Sequence, residues 1–406
     1  MKVAVLGCGT VGSTAVKTLD ASNFFDEITI GDVNVKAAEK VASTCKGNVK
    51  TVRVDADKPE SLGSVMKGSD VVLNCIGPFY KYGPKILSVA ISEGVNYVDV
   101  CDDLDATQAQ LELSGEAERA GVTALIGMGS SPGLANVIAK FCAESLLDVA
   151  ESVDILHIHG GEPAEGAAVI KHRIHSMMMD IPVFLNGELV TVKLFEESGM
   201  SLEEDVDFPG VGTYRVYPYP HPETITLPRY IKGLRNVTNR GTVLPPKYIE
   251  LTRELVRLGL TSEEPLEVQG QRIAPLEFAV AFILSQRERL LREAGITEPL
   301  GCLKIVVKGE RGGETLTYSF AFTSRGQGMG EGTGIPAAIG AILMAQGKVA
   351  GEGVLPPEAC VNPVDVLSLA QQLIKSTGKG ELPLVIDVTG EDGVTRRVDI
   401  KELFTA

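Results

Sequence analysis

Met1-Lys2-Val3-Ala4-Val5-Leu6-Gly7-Cys8-Gly9-Thr10-Val11-Gly12 opens the chain, and Glu27-Ile28-Thr29-Ile30-Gly31-Asp32 follows it closely. The run Val3 to Leu6 is apolar without alternation, as in a strand buried on both faces, and a G-x-G-x-x-G pattern falls at its exit. The three glycines there have separate tasks. Gly7 permits a tight turn, Gly9 lets the backbone approach a pyrophosphate, and Gly12 lets the next helix, expected over 13–20, pack close to the strand. Thr10 and Val11 lie at the helix entry, where free N–H groups and the positive dipole end face the phosphates. Asp32 ends a second strand twenty positions after Gly12, the offset at which a carboxylate accepts hydrogen bonds from an adenosine ribose. Glycine turns are common in a chain with 44 glycines. Strand, glycines, helix, strand and acid in this order are far more specific, and they predict a dinucleotide site.

Working outward, helical spacing over 35–45 and 59–66 alternates with strands at 49–54, 70–75, 97–101 and 123–127. The helices before the last two strands end near Gly94 and Gly121. Six strands with helices between them predict the α/β class, a doubly wound parallel Rossmann sheet, with its ligand crevice at the carboxyl ends of the strands. The loops 74–83, 101–105 and 128–136 are therefore the places to look. After Asn136 a helix at 137–146 leads to half-buried, alternating segments at 153–159, 189–195, 303–307 and 316–322, the texture of a mixed or antiparallel sheet. Arg311-Gly312-Gly313-Glu314 turns the last two into a hairpin, and Pro275 suits the first turn of a helix running to about Glu293. The expected organisation is a dinucleotide-binding domain over 1–136, a second α+β substrate and dimerisation domain over 137–330, and a tail over 331–406. That tail holds a helix at 336–346 returning to the first domain and a hairpin at 384–400.

At 406 residues the chain exceeds what one core usually supports. A net charge of −15 opposes nucleic-acid and anionic-lipid binding. The seven cysteines are scattered and never form C-x-x-C, which argues against a disulfide framework or thiolate zinc site. Met1 leads almost directly into the first strand, and no apolar run approaches the ~20 residues that span a bilayer. A cytoplasmic protein without membrane or nucleic-acid partners is the expectation.

With both halves read, the sequence resembles the saccharopine dehydrogenase and lysine 6-dehydrogenase family of amino-acid oxidoreductases. The matching stretches are G-C-G-T-V-G (7–12) and G-D-V-N (31–34), V-D-A-D-K-P (54–59), D-V-V-L-N-C (70–75), G-V-N-Y-V-D (94–99) and G-S-S-P-G-L-A-N (129–136). Farther along come N-R-G (239–241), L-E-V-Q-G-Q-R-I-A-P-L-E-F (266–278) and G-V-L-P-P-E (353–358). The resemblance implies hydride exchange between a nicotinamide cofactor and an amino-acid-like substrate, and a homodimer formed through the substrate-domain sheet. The chain has no tryptophan, whereas relatives often place aromatics over the substrate, so the resemblance speaks for cofactor and reaction type more than for one substrate.

Among individual residues, Asp32 favours NAD over NADP, because a 2′-phosphate beside a carboxylate is repelled and Val33 and Asn34 supply no cation. Asp55 is expected near the adenine, and Asn74, Cys75, Ile76 and Gly77 along the path of the pyrophosphate and nicotinamide ribose. Asp99, Cys101, Asp102, Asp103 and Asp105 crowd one strand end. Clustered carboxylates raise one another's pKa, which suits a proton carrier, and they attract an ammonium group. Asp102 and Asp103 are the acid/base candidates, weighed against a merely solvated acidic loop. Cys101 as a nucleophile is disfavoured, since acidic neighbours suppress its thiolate. His157 with His159, and His172 with His175, have spacings compatible with a metal, yet nothing completes a recognised motif, and no metal is expected. Lys171, His172 and Arg173 lie where the second domain should face the cofactor. Lys171 is a substrate-binding candidate and His172 a further catalytic one. Arg240 is the candidate for gripping an α-carboxylate bidentately, and Tyr80 could orient an amine. The expected activity is hydride transfer at an amino-acid C–N bond. Its alternatives are a semialdehyde or carbonyl reductase on the same fold and a non-catalytic NAD-binding regulator.

Overall fold

The computed structural model describes residues 1–162, 165–326, 329–376 and 383–403. The first six strands are β1 (Lys2–Leu6), β2 (Glu27–Asp32), β3 (Val49–Arg53), β4 (Val71–Asn74), β5 (Asn96–Asp99) and β6 (Thr123–Leu125). All are parallel to their neighbours, and Val3 to Leu6 are at most 1% exposed, as the unbroken apolar run requires. The helix after β1 spans Thr10–Ser22 and starts three residues earlier than its apolar pattern suggested, with Gly9 as its cap. A Cβ on Gly12 would lie 1.9 Å from the Gly7 carbonyl oxygen, so only glycine allows this helix to sit so close to the turn.

The second half contributes β7 (Val149–Gly160), β8 (Ile181–Leu185), β9 (Glu188–Val192), β10 (Glu204–Phe208), β11 (Gly212–Pro218) and β12 (Asn236–Leu244). A small hairpin of β13 (Leu266–Val268) and β14 (Gln271–Ile273) precedes the long hairpin of β15 (Leu300–Arg311) and β16 (Glu314–Arg325). Then come β17 (Gly353–Leu355), β18 (Leu384–Thr389) and β19 (Thr395–Val398). The sheets are a seven-stranded parallel one, β17-β6-β5-β4-β1-β2-β3, and a ten-stranded mixed one, β10-β11-β12-β7-β15-β16-β18-β19 with β8 and β9 branching from β12.

Several elements differ from expectation for identifiable reasons. The seventh parallel strand, β17, is a three-residue segment from late in the chain, too short to show periodicity. The helix expected over 137–146 starts at Leu134 and passes into a wider turn at Cys142–Leu146. The predicted strand at 189–195 is β9, whose missed partner β8 joins it through Asn186 (φ 54°) and Gly187 (φ 87°), an Asn-Gly pair suited to a two-residue hairpin turn. The return helix spans Met329–Ala345 and packs along the Thr10–Ser22 helix and against β4 and β5. A Cβ on Gly334 would lie 2.7 Å from the Val11 carbonyl oxygen, so a small residue is needed at that contact. The tail thus divides between the sheets: β17 extends the first, and the β18–β19 hairpin extends the second.

One face of β7 and β15 carries Val153, Ile155, Ile305 and Val307 against Ala135, Ile138 and Phe141 of the helix Leu134–Phe141 and Leu227 of the helix Glu223–Tyr230. The other face carries Leu156 and Ile158 against Val206, Phe208 and Val216. This alternation decides which side chains of the second sheet meet the first domain. Among the described residues no helix is long and apolar enough to cross a membrane.

Candidate active site

The carboxyl ends of β4, β5 and β6 open into a cleft of about 1460 Å³, whose far wall comes from the second domain. Val11, Cys75 and Gly77 line it from the first domain, together with Asp102 and Ser131, and His157, His159, His172, Arg173, Tyr219 and His221 from the second.

The glycine loop has the features a pyrophosphate needs. Gly7 takes φ +86°, and a Cβ on Gly9 would meet nothing within 4 Å, so its backbone faces open space. The helix beginning at Thr10 has no side-chain cap and no acid in its first turn, leaving the N–H groups of Thr10 and Val11 to an anion. Asp32 stands beside the loop, its two carboxylate oxygens accepting from the backbone N–H groups of Cys8 and Asn34, each at 2.7 Å. These residues fit a dinucleotide. Asp55 caps the exit of β3 and sits 3.5 Å from Lys58. Asn74 is fully buried, donating to the Tyr97 hydroxyl at 2.9 Å and accepting from the Ile76 N–H at 3.0 Å. It shapes the loop that carries Cys75 and Gly77 into the cleft, while neither Asn74 nor Ile76 lines it. Burial, then the Asp99 charge, pushes the Cys75 thiol up to about 12, so it is neutral.

The acidic cluster separates into different environments. Asp99 is fully buried: Oδ1 accepts from Cys101 N and Gly127 N, and Oδ2 from the Tyr97 hydroxyl and Gln110 Nε2. It ties the ends of β5 and β6 together and is closed off from the cleft. Asp103 accepts from the Tyr80 N–H at 3.0 Å, joining two loops, and Asp105 lies exposed in the first turn of the helix Leu104–Glu112. Asp102 alone of the five lines the cleft. Solvent reaches it through the cleft, yet the surrounding protein desolvates it enough to hold its carboxyl above the usual range, with Asp103 adding to the rise and His221 and His172 opposing it. Cys101 is buried, and burial followed by Asp99 and Asp102 holds its thiol far above the range of a nucleophile.

Opposite Asp102 stands a pair that sequence reasoning missed. His221 Nδ1 lies 2.7 Å from Glu223 Oε2, and both side chains are buried, at 7% and 0% exposure. Burial alone would push the imidazolium down, but the charges of Glu223, Asp102 and Asp103 more than offset this and hold its pKa above the ordinary value. Ser131 donates to the other Glu223 oxygen, Asn239 Nδ2 reaches Ser131 at 3.4 Å, and Asn239 Oδ1 meets His157 Nε2 at 3.2 Å. The Tyr219 ring stands 5.5 Å from that of His157 and 5.8 Å from that of His221. Burial, then His159 and His221, pushes His157 down to about 3, so it is neutral, whereas His221 is shifted the opposite way. The one available signal was Pro220-His221-Pro222-Glu223, a histidine and acid held by prolines.

Three predicted residues stand elsewhere. Arg240 points to the opposite face of β12, where it is ion-paired with Asp154 at 2.9 Å and Glu204 at 3.1 Å. Period-two alternation gives its neighbours Asn239 and Gly241 to the cleft side, where a Cβ on Gly241 would fall 1.9 Å from the His157 ring. Lys171 turns outward to Glu277 at 2.5 Å, and the Tyr80 side chain is 64% exposed outside the cleft lining. His172 and Arg173, one and two residues along the helix from Lys171, do line it. Arg173 is held by Glu165 at 2.5 Å, and its Nη1 is buried without a hydrogen-bond partner among the described residues. No group of three or more His, Cys, Asp or Glu among the described residues is arranged to hold a metal.

A domain model described as the saccharopine dehydrogenase NADP-binding domain matches residues 3–125, and the saccharopine dehydrogenase C-terminal domain matches 129–378. A carboxyaminopropylagmatine dehydrogenase of Synechocystis sp. is 25% identical over 382 residues, covering 88% of this chain and 92% of the relative. A carboxynorspermidine synthase of Vibrio cholerae is 25% identical over 398 residues with the same coverage. The apo saccharopine dehydrogenase (L-Glu forming) of Saccharomyces cerevisiae superposes with a TM-score of 0.70 at 16% identity, over 98% of this chain and 100% of that one. With the glycine loop, the two sheets and the cleft between them, these matches establish that the chain belongs to the saccharopine dehydrogenase family and is a nicotinamide-dependent oxidoreductase of that class.

Proposed function

We propose that the enzyme interconverts a secondary amine of an amino acid and the corresponding imine, with the proton at the reacting nitrogen managed by the His221–Glu223 pair. The observation that carries this is the buried His221–Glu223 pair, 2.7 Å apart, whose imidazole lines with Asp102 the cleft that Cys75 and Gly77 enter. The glycine loop and Asp32 would hold a nicotinamide dinucleotide, which would supply hydride exchange with the substrate carbon. Asp102 attracts the cationic amine, His221 gives or takes its proton, and Glu223 fixes the imidazole and stabilises its charge. Hydrolysis of the imine releases an amine and a carbonyl compound, and the reverse reaction condenses them. The names of the two relatives, a carboxyaminopropylagmatine dehydrogenase and a carboxynorspermidine synthase, support a secondary amine bearing a carboxylate. A homodimer is part of the proposal, since the ten-stranded sheet ends in open strand edges that favour cover. A screen of amino acids, and of amines paired with keto acids or semialdehydes, for change in NADH absorbance tests the reading. Turnover of a carbonyl compound without amine would favour the reductase alternative, and cofactor binding with no turnover the regulator.

Arg173 replaces Arg240 as the group proposed to receive the substrate carboxylate, because a buried guanidinium donor lacking a partner gains one there. Arg173→Met is expected to raise KM for the amino acid roughly tenfold to hundredfold, with NAD affinity unchanged in a fluorescence titration. An unaltered KM would remove Arg173 from the site. NAD is the proposed cofactor, since Asp32 accepts from a free 2′-hydroxyl and repels a 2′-phosphate. Titration with both oxidised cofactors should show tighter NAD binding, and tighter NADP binding would mean that Asp32 does not read the ribose.

A further inference from the structure

Behind the His221–Glu223 pair lies a second buried carboxyl that the proposed chemistry does not use. Glu358, in the short helix Pro357–Cys360 that follows β17, is 3% exposed. Its Oε2 accepts from Asn136 Nδ2 at 2.8 Å, while Oε1 has no hydrogen-bond partner among the described residues. The buried Thr226 hydroxyl is its polar neighbour, close enough to oppose the rise of the Glu358 pKa but outside hydrogen-bond geometry, and a void of about 10 Å³ lies beside Thr226, Asn136 and Pro357. Among the described residues no cation is placed to compensate Glu358. The titratable groups that face it are Glu223 and Tyr230 at the two ends of the helix Glu223–Tyr230, and Cys360 on its own helix. Lys140, on the helix Leu134–Phe141, spends its ammonium on the Val361 carbonyl. A carboxylate in such surroundings, with another carboxylate nearby, is strongly disfavoured as an ion.

Asn136 links this group to the cleft. Its Oδ1 accepts from the Gly133 N–H at 2.9 Å, closing the turn Gly129–Gly133 that carries Ser131, and Ser131 donates to Glu223. We propose that Glu358 is a positioning residue that must be protonated for the His221–Glu223 pair to work. Neutral, it orients Asn136 and thereby the Ser131 turn. Ionised, it sets an uncompensated second carboxylate beside Glu223, strains that turn and binds the His221 proton more tightly. The inference rests on the proposed role of His221, but the protonation of Glu358 is measurable without turnover.

Burial, opposed by hydrogen bonds and reinforced by Glu223, raises Glu358 to about 7. A carboxyl raised on folding stabilises the protein least where the unfolded chain is ionised and the folded one must follow. Thermal stability should therefore fall as pH rises from about 4.5 to about 7. Glu358→Gln keeps the shape and the acceptor for Asn136 and cannot ionise. It should abolish that portion of the Tm profile and the infrared carbonyl band of a protonated acid near neutrality. In kcat against pH, wild type should lose activity through about pH 7, whereas E358Q should hold its activity to higher pH and exceed wild type there several-fold. Glu358→Ala, which frees Asn136, should lower kcat at every pH. If E358Q merely scales the wild-type kcat and Tm profiles without changing their shape, Glu358 is a structural group and the proposal falls. If the carbonyl band and Tm profile change as stated but no amine is oxidised or imine reduced, Glu358 is protonated as inferred and the function proposed for the cleft is what fails.

Discussion

His221→Asn is expected to lower kcat by roughly 10²–10⁴-fold, the usual weight of a positioned proton donor. The expectation rests on the 2.7 Å contact with Glu223 and on a net balance of charges that raises the imidazole pKa despite burial. In the imine-reducing direction the protonated form is the active one, so activity falls as pH rises through the raised pKa of His221, and the asparagine variant should lack that limb. A histidine raised on folding contributes stability that is complete below its unfolded pKa and lost as pH rises through the folded one. The wild-type Tm should therefore decline on the alkaline side in a way H221N does not. Asp102→Asn serves as the partner experiment. It removes the charge that attracts the amine and part of what holds the His221 proton, so it should raise KM and shift the remaining limb to lower pH. Should H221N turn over normally while D102N loses one limb of its profile, the proton carrier is Asp102 and His221 only supports it.

Substitutions at two glycines of the cofactor loop should separate packing from ligand binding. A Cβ at position 12 lies 1.9 Å from the oxygen and 2.9 Å from the carbon of the Gly7 carbonyl, and both atoms are backbone that cannot swing aside. Gly12→Ala should destabilise the protein by about 1–3 kcal/mol and weaken NAD by about tenfold to hundredfold, because the strain sits in the loop that must close on the pyrophosphate. Gly9→Ala is different. Its Cβ meets nothing in the cofactor-free protein and its φ of −63° suits alanine, so Tm should hold while the methyl group occupies the approach of the phosphates. Calorimetric titration beside a thermal melt reads both effects. A G9A protein that binds NAD as wild type does would place the pyrophosphate elsewhere.

The two halves of the site differ in how far they could be read in advance. For the cofactor half, the residues from Val3 to Asp32 state their own geometry: a strand without polar positions, glycines where the backbone must turn or be approached, and an acid at the next strand's end. These requirements are local, so spacing alone located them. The acidic run after β5 was legible as a cluster but not as a division of roles. Asp99 and Asp102 are three residues apart, and only the packing of β6 and Gln110 against one of them makes it structural while the other faces the cleft.

By itself, then, the sequence determined the parallel sheet, the dinucleotide loop, the mixed second sheet and the returning helix, since periodicity and turn chemistry act over a few residues. The tertiary structure decided the half proposed to react. Ser131, His157, Asn239 and the His221–Glu223 pair come from four separate segments, and their hydrogen-bonded chain exists only where the second sheet closes on the loop after β6. It likewise decided between Arg240 and its neighbours. Alternation along β12 says that Asn239 and Gly241 share a face opposite Arg240, but which face meets the first domain depends on where Ile155 and Ile305 bury their side chains, against helices whose position no local pattern records.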